Sequence, residues 1–172
     1  MFEYPLLFIF PLAMAYAAVS DLLTMTIPNR ISLVLLATFF VLAPLASFTW
    51  VTFWQHLAVG GVVLAAGVAL FALGVFGGGD AKLLAAAALW LGLDHIVPFF
   101  GNVAIIGGVM CVVILLYRKL VPAVILSLPG WSMPGWAVRL HDPKSGVPYG
   151  IAIAGAALLI YPKTQWYLAF IS

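Results

Sequence analysis

From Ile31 to Gly79 the sequence carries no aspartate, glutamate, lysine or arginine. Over the whole chain, 66% of the residues are hydrophobic and 7% are charged, whereas a soluble domain carries about 25% charged residues. So few charged side chains cannot cover the surface of a globular protein in water, so we expect the solvent of this chain to be lipid. The 172 residues leave room for one membrane domain, predicted to span 1–172.

Six apolar segments are candidates for helices that cross a membrane, since each crossing needs about 20 mostly apolar residues. They are Tyr4–Ser20, Asn29–Ala46, His56–Phe76, Ala81–Leu93, Val97–Tyr117 and Tyr149–Tyr161. Pro28 is well placed to begin the second of them. The predicted fold class is therefore all-α, a polytopic integral membrane protein with about six transmembrane helices. The fourth segment is short, and the topology after it depends on whether it crosses.

Lysine and arginine fall almost entirely on one side of this topology. The links after the first, third and fifth segments hold Arg30, Lys82, Arg118, Lys119, Arg139 and Lys144, and the other side holds Lys163. Cytoplasmic links carry an excess of these residues. We therefore expect the odd-numbered links to face the cytoplasm and both termini to face outward.

Charge and cysteine usage argue against several classes of site. The net charge of +2 and the lack of a basic run do not suggest nucleic-acid binding. Cys111 is the one cysteine, so no internal disulfide or CxxC zinc pair can form, and we interpret it as a small packed residue. His56, His95 and His141 lack metal-ligand spacing, and we interpret them as residues of the membrane interface. No metal and no other cofactor is predicted.

Two further patterns concern packing and the membrane interface. Small residues recur every seven positions along the third segment, on one face that another helix could approach closely; they are Gly60, Gly67 and Gly74. Tryptophans in two links suit an interface belt; they are Trp50 and Trp54 in Ser47–Gln55, and Trp131 and Trp136 in Leu120–Pro148. The second of these links is expected to lie in the interface.

Asp21 and Asp80 are predicted to meet at the cytoplasmic edge of the membrane. Asp21 ends the first segment and Asp80 opens the fourth, so two crossings return the chain to the same side. Two carboxyl groups brought together do not both ionise easily, and the pair holds one proton near neutrality. The ionised member can then take a proton from water while the protonated member polarises a peptide carbonyl. The pair is a candidate for peptide hydrolysis.

The three consecutive glycines Gly77, Gly78 and Gly79 precede Asp80. Because each glycine costs a helix about 1 kcal/mol relative to alanine, we expect irregular backbone here, with positive φ and close backbone approach. Such a hinge would bring the two acids together and let an extended substrate lie beside the backbone. Lys82 either offsets the local negative charge or reaches lipid headgroups.

Each of these residues also has an ordinary structural interpretation. The glycines can form a helix C-cap and a tight turn, Asp80 can be an N-cap, and Asp21 can be a cap or pair with Arg30. The glycine loop lacks the spacing of a phosphate-binding loop. Taken singly, the structural interpretations are simpler. Taken together, they do not explain why the membrane-edge acids fall on one side.

Two stretches carry a resemblance to a known family. Gly77-Gly78-Gly79-Asp80 matches the GxGD motif of intramembrane aspartyl proteases. The longer stretches "GGGDAKLL", "SDLLTMTIPN" and "GVPYGIAIAG" resemble the type IV prepilin peptidases. The short length resembles the branch that serves tight-adherence (Flp) pili, and the resemblance covers nearly the whole chain.

The resemblance implies an aspartic endopeptidase of the bacterial inner membrane, with residues 1–172 forming one transmembrane peptidase domain. Asp21 and Asp80 would be the catalytic pair at the cytoplasmic face, without a metal. The substrate would be a prepilin or pseudopilin precursor, cut between a basic leader and its hydrophobic helix. The loop Gly77–Gly79 and Lys82 would then lie beside the substrate, and Leu126–Val138 could form an amphipathic shelf that receives the substrate helix.

Larger relatives carry a cytoplasmic insertion with paired CxxC motifs and also N-methylate the new terminus. The first link of this chain is short and Cys111 is alone, which puts methyl transfer in doubt. Two other classes stay open at this point. A proton- or ion-coupled transporter also uses broken helices and membrane acids, but would place acids near mid-membrane. A non-catalytic membrane subunit of a pilus or secretion machine would tolerate Asp→Ala at both positions. The sequence does not predict the oligomeric state.

Overall fold

The structure is a computed structural model that describes residues 7–46, 48–122 and 133–171, where every regular element is a helix. The helices are α1 Ile9–Thr24, α2 Asn29–Leu42, α3 Trp50–Ala72, α4 Gly78–Leu91, α5 Ile96–Leu120, α6 Gly135–His141, α7 Tyr149–Ile160 and α8 Gln165–Ile171. Short 3₁₀ turns cover Leu93–His95, Pro143–Ser145 and Tyr161–Lys163. The predicted all-α class is confirmed for these ranges.

Within the described ranges, two helical segments are long and apolar enough to cross a membrane. They are α3, with 23 residues, and Leu93–Leu120, with 28 residues, which joins a 3₁₀ turn to α5. The apolar helices α1 and α2 and the segment Tyr149–Lys163 are shorter. Many large apolar side chains face outward on these helices, such as Leu12, Val62 and Ile105. These features are consistent with a membrane protein, while the number of crossings and their orientation stay predictions.

Two alanine-rich helices, α4 and α7, form the middle of the bundle. Helix α4 packs against α2, α3 and α7, and α7 packs against α1, α4 and α5. On α4, every residue from Leu83 to Leu91 is buried. Small side chains allow neighbouring backbones to approach closely, so these two helices can each be surrounded by other helices.

The glycine face of α3 packs on α4 as predicted, except at its end. A Cβ atom on Gly60 would lie 2.9 Å from the Leu89 Cβ, and one on Gly67 would lie 2.9 Å from the Ala81 Cβ. Gly74 lies beyond the end of α3, has a φ of +71° and faces open space. The prediction of a shared face is therefore right for the first two glycines and wrong for Gly74, which ends the helix instead.

Gly67→Ala is expected to lower the apparent melting temperature of the purified protein. The new methyl group would press on Ala81, and overpacking of this kind costs about 1–3 kcal/mol. Gly61→Ala is the matched control, because a Cβ on Gly61 meets nothing within 4 Å and the same change should gain about 1 kcal/mol of helix propensity. Thermal melting in detergent checks the pair, and equal shifts in the two variants would contradict this packing.

Helix α3 begins at Trp50, earlier than the predicted start at His56. The Thr49 Oγ1 accepts a hydrogen bond from the backbone N–H of Thr52 at 3.1 Å. A threonine N-cap of this kind satisfies one of the free N–H groups of a first turn. The link predicted over Ser47–Gln55 is therefore mostly helical.

His56, predicted to be a residue of the membrane interface, is buried inside the protein. Its side chain is 7% exposed, and its Nδ1 lies 2.6 Å from the Leu89 carbonyl oxygen. The rings of Phe39, Phe48 and Trp166 surround it. Because a backbone carbonyl satisfies its ring nitrogen, the imidazole can pack in an aromatic core.

The remaining interface predictions are only partly within the described residues. His95 and His141 are partly exposed, and the Nε2 of His141 lies 2.8 Å from the Val121 carbonyl oxygen. Trp136, on α6, is 36% exposed. Trp131 and most of the segment Leu126–Val138 lie outside the described residues.

Candidate active site

Asp21 is held by the first turn of α7. Its carboxyl group is buried on α1, at 5% exposure, and its Oδ2 accepts a hydrogen bond of 2.7 Å from the Gly150 backbone N–H. Carboxylates are stabilised near helix N-termini by free N–H groups and by the helix dipole. Helix α1 continues to Thr24, so Asp21 lies inside the helix rather than at its end. The capping and Arg30 interpretations do not describe this contact.

Gly150 is a site residue that the sequence analysis missed. A Cβ atom there would lie 2.8 Å from the Asp21 Oδ2, 3.0 Å from the Asp21 Cβ and 2.8 Å from the Ile27 Cδ1. No side chain fits in this space, so glycine is required for α1 and α7 to meet this closely. The available signal was a glycine at the start of a helix, directly after Pro148-Tyr149.

Asp80 lies in the first turn of α4, where a negative charge is favoured by the helix dipole. The N-cap is Gly77, with φ −73° and ψ 140°, and Gly78 and Gly79 are the first helical residues. Irregular backbone with positive φ was therefore the wrong prediction, and the N-cap interpretation of Asp80 is also wrong.

Neighbouring side chains lie so close to Gly77 and Gly79 that a Cβ atom at either position would press on them. A Cβ on Gly79 would lie 3.2 Å from the Ile27 Cβ, and a Cβ on Gly77 would lie 2.5 Å from the Asp80 Oδ2. The Asp80 carboxyl group thus folds back over Gly77, while Ile27 packs against Gly79. This tertiary packing offsets the cost of glycine in a helix.

Ile27 packs between the two acid-bearing elements, because it contacts both Gly79, next to Asp80, and Gly150, the partner of Asp21. The two carboxyl groups are close enough to interact electrostatically. Asp80 lies between the two candidate spanning segments, outside both. Burial, and then the negative charge of Asp21, raise the pKa of Asp80 to about 6. The arrangement can therefore hold one carboxyl group protonated beside an ionised one, while the catalytic role of the pair stays a prediction.

Tyr149, the first residue of α7, borders the same site and was also missed. Its ring centroid lies 6.3 Å from that of Phe76, and its hydroxyl oxygen lies 3.6 Å from the Cys111 Sγ. A Cβ on Gly107 would lie 3.3 Å from the ring, so the ring packs directly on the α5 backbone. Cys111 is only partly buried and faces this tyrosine.

Arg118 fixes the chain that leads into α7. Its Nε donates to the Leu140 carbonyl oxygen at 2.7 Å. Its Nη2 donates at 3.0 Å to the carbonyl oxygens of Asp142 and Gly146. Charged donors make stronger hydrogen bonds than neutral ones, so one guanidinium anchors the end of α6 and the turn after it. The link that presents Gly150 is thereby fixed to α5.

Lys82 points away from the acid pair. At 3.6 residues per turn, a residue two positions further along a helix is rotated by about 200°, so Lys82 and Asp80 lie on opposite faces of α4. The Lys82 Nζ donates to the Asn29 Oδ1 at 2.9 Å. The predicted contact between Lys82 and a substrate stays a prediction.

No metal cluster occurs in the described part of the chain: no group of three or more His, Cys, Asp or Glu side chains is arranged to hold an ion. The chemistry that the described acids offer is proton transfer. One carboxylate can accept a proton from water, and one carboxylic acid can donate a hydrogen bond to a carbonyl oxygen.

Comparison with known proteins gives one result. The model of a family described as the type IV leader peptidase family matches residues 8–112, more than half of the chain. The matched range contains Asp21, the glycine loop and Asp80, while Gly150 lies outside it. No curated protein and no solved structure matches the chain.

Proposed function

The chain belongs to the type IV leader peptidase family, and we propose that it is an aspartic endopeptidase that removes the leader peptide from type IV prepilins of the Flp type. Membership of the family assigns it to the peptidases. The observation that carries the finer proposal is the pairing of Asp21 with Asp80, from helices far apart in sequence, around Ile27. Residues 1–172 are proposed to act as one transmembrane peptidase domain, without a metal.

The proposed chemistry gives each carboxyl group one task. Asp21, whose Oδ2 accepts a hydrogen bond from the Gly150 N–H, is proposed as the ionised member that takes a proton from water. Asp80, with its pKa raised to about 6 by burial and by the charge of Asp21, is the member that is protonated in the reacting form and polarises the scissile carbonyl. The hydroxide that forms attacks the carbonyl carbon, and the C–N bond breaks once Asp21 passes the proton that it took from water to the leaving amine nitrogen.

The proposed location is the inner membrane of a bacterium, with the acid pair facing the cytoplasm. Contacts between links support this orientation. Lys82, after α3, binds Asn29, after α1, and Arg139, after α5, donates to the Leu23 carbonyl oxygen at the end of α1. The basic links after α1, α3 and α5 therefore gather at the end of the bundle that holds the acid pair, as expected for a cytoplasmic face.

The test is cleavage of a purified Flp-type prepilin by the purified protein in detergent. Mass spectrometry is expected to find one cut, at the junction between the basic leader and the hydrophobic helix. The double variant Asp21→Asn/Asp80→Asn is expected to leave the prepilin intact. Failure of the folded wild-type protein to cut any prepilin or pseudopilin would favour the transporter or the non-catalytic subunit. Cutting by the double variant would show that other residues perform the hydrolysis.

A further inference from the structure

A groove of about 550 Å³ lies on the far side of α4 from Asp80. Helices α2 and α3 both pack on α4 but make few contacts with each other, which leaves the groove between them. Its floor is α4, which contributes small residues such as Ala86, and α2 and α3 contribute Gly61 and leucines such as Leu33 and Leu64. It is therefore an apolar trough bounded by three helices.

Lys82 is the one cationic side chain among the described residues that line the groove, and it lies at one end of it. Lys82 lines the groove together with Asn29, and no aspartate or glutamate is among the described residues that line it. The Lys82 Nζ donates one hydrogen bond, to the neutral Asn29 Oδ1. An ammonium has three N–H donors, so Lys82 can bind an anion at the mouth of the groove.

We propose that this groove binds one anionic phospholipid, with an acyl chain along the apolar floor and the headgroup phosphate on Lys82. The charge at the mouth complements a phosphate, and basic pockets between membrane helices bind lipid headgroups in this way. The apolar trough is continuous with this mouth, which matches a ligand that has one charged end and a long apolar tail.

The shape and position of the groove favour a lipid over a substrate helix. An α-helix with its side chains is about 10 Å wide. A single acyl chain is much thinner. The groove also faces about 200° away from Asp80 around α4, so a helix lying in it would not lead a scissile bond to the acid pair.

The test uses a phosphatidylglycerol that carries a diazirine on its acyl chain, with the full-length protein in phosphatidylcholine nanodiscs. Illumination is expected to label the peptides of α2 and α3 that wall the groove. Gly61→Leu would place a side chain in the trough and should reduce this labelling by about fivefold or more, because the acyl chain loses its apolar contacts. Gly108→Leu, on α5, is the matched control, since a Cβ there also meets nothing within 4 Å. Equal labelling of the two variants would overturn the proposal.

The headgroup is tested separately with Lys82→Gln. Wild-type labelling by the diazirine phosphatidylglycerol should exceed labelling by the matching phosphatidylcholine probe, and Lys82→Gln should abolish this difference. An unchanged preference would overturn the role of Lys82. Protection of the groove by an added prepilin would show that the substrate is the occupant and would also overturn the proposal. Ser32→Leu fills the groove from α2 and replaces Gly61→Leu if that variant does not fold. None of these readouts depends on cleavage, so the outcome is independent of the proposed peptidase activity.

Discussion

Replacing Asp80 with Asn is expected to stop prepilin cleavage and, at the same time, to make the protein more resistant to heat near pH 8. The cleavage rate should fall by about 10³-fold or more, because an amide cannot share the proton that acid–base catalysis requires. Asparagine has nearly the shape of aspartate, so the turn around Gly77 and the packing of Ile27 should persist. Loss of activity would then come from chemistry and not from unfolding.

The gain in stability follows from the raised pKa of Asp80. Burial and the charge of Asp21 raise it from 3.8 to about 6. Between these values the folded state binds more protons at this site than the unfolded state, so wild-type stability falls as the pH rises from about 4 to about 6 and stays lower above that range. Asparagine carries no charge at any pH. The melting temperature of the variant should therefore exceed that of the wild type by less near pH 4.5 than near pH 8.

Melting in detergent at the two pH values, together with the cleavage assay, checks this prediction. Asp94→Asn is the control, because Asp94 is an exposed acid in the 3₁₀ turn before α5. It should leave cleavage as in the wild type. An Asp80→Asn protein that cleaves prepilin, or one that loses melting temperature near pH 8, would contradict the assignment of Asp80.

The sequence predicted the start of a helix correctly where a proline directly precedes it. The start of α2 at Asn29, after Pro28, was predicted and is confirmed. The start of α7 at Tyr149, after Pro148, is also confirmed. Proline fixes its own φ and lacks an N–H, so it fits where a helix begins whatever the rest of the fold does.

Local signals failed where packing between distant segments decides the backbone. Glycine propensity predicted irregular chain at Gly78 and Gly79, but both are helical. The helix gains close packing of Gly79 on Ile27, and these residues come from different links. Propensity is a weak prior that such contacts override. The same holds for His56, whose polar ring is buried because the Leu89 carbonyl of another helix satisfies it.

The sequence could predict the pairing of Asp21 with Asp80 but not the hydrogen bond from Gly150 that holds Asp21. The sequence predicted the pairing of Asp21 with Asp80 because an even number of predicted crossings separates them and acids are rare in this chain. The hydrogen bond from Gly150 to Asp21 joins positions 129 residues apart. The chain has 16 glycines, and nothing in the sequence indicates that the N–H of Gly150 binds Asp21. This contact is visible only in the three-dimensional structure.

Gly150→Ala is expected to lower kcat for prepilin cleavage by about 100-fold, the effect of displacing a catalytic group by about 1 Å. The new methyl group would lie 2.8 Å from the Asp21 Oδ2 and 2.8 Å from the Ile27 Cδ1, so the carboxyl group or α7 has to move. Either movement lengthens the hydrogen bond that holds Asp21 and changes its distance from Asp80. KM should change much less, because neither residue is proposed to bind the substrate helix.

Gly155→Ala is the matched control on the same helix. Its added Cβ would lie 3.5 Å from the Ile106 Cδ1, an ordinary contact, and the change in helix propensity is the same as at position 150. Steady-state kinetics on one prepilin should therefore separate the two alanine variants by their kcat. If Gly150→Ala cleaved as fast as Gly155→Ala, the N-terminus of α7 would not position Asp21, and the carboxylate would have to be held in its working geometry by α1 alone.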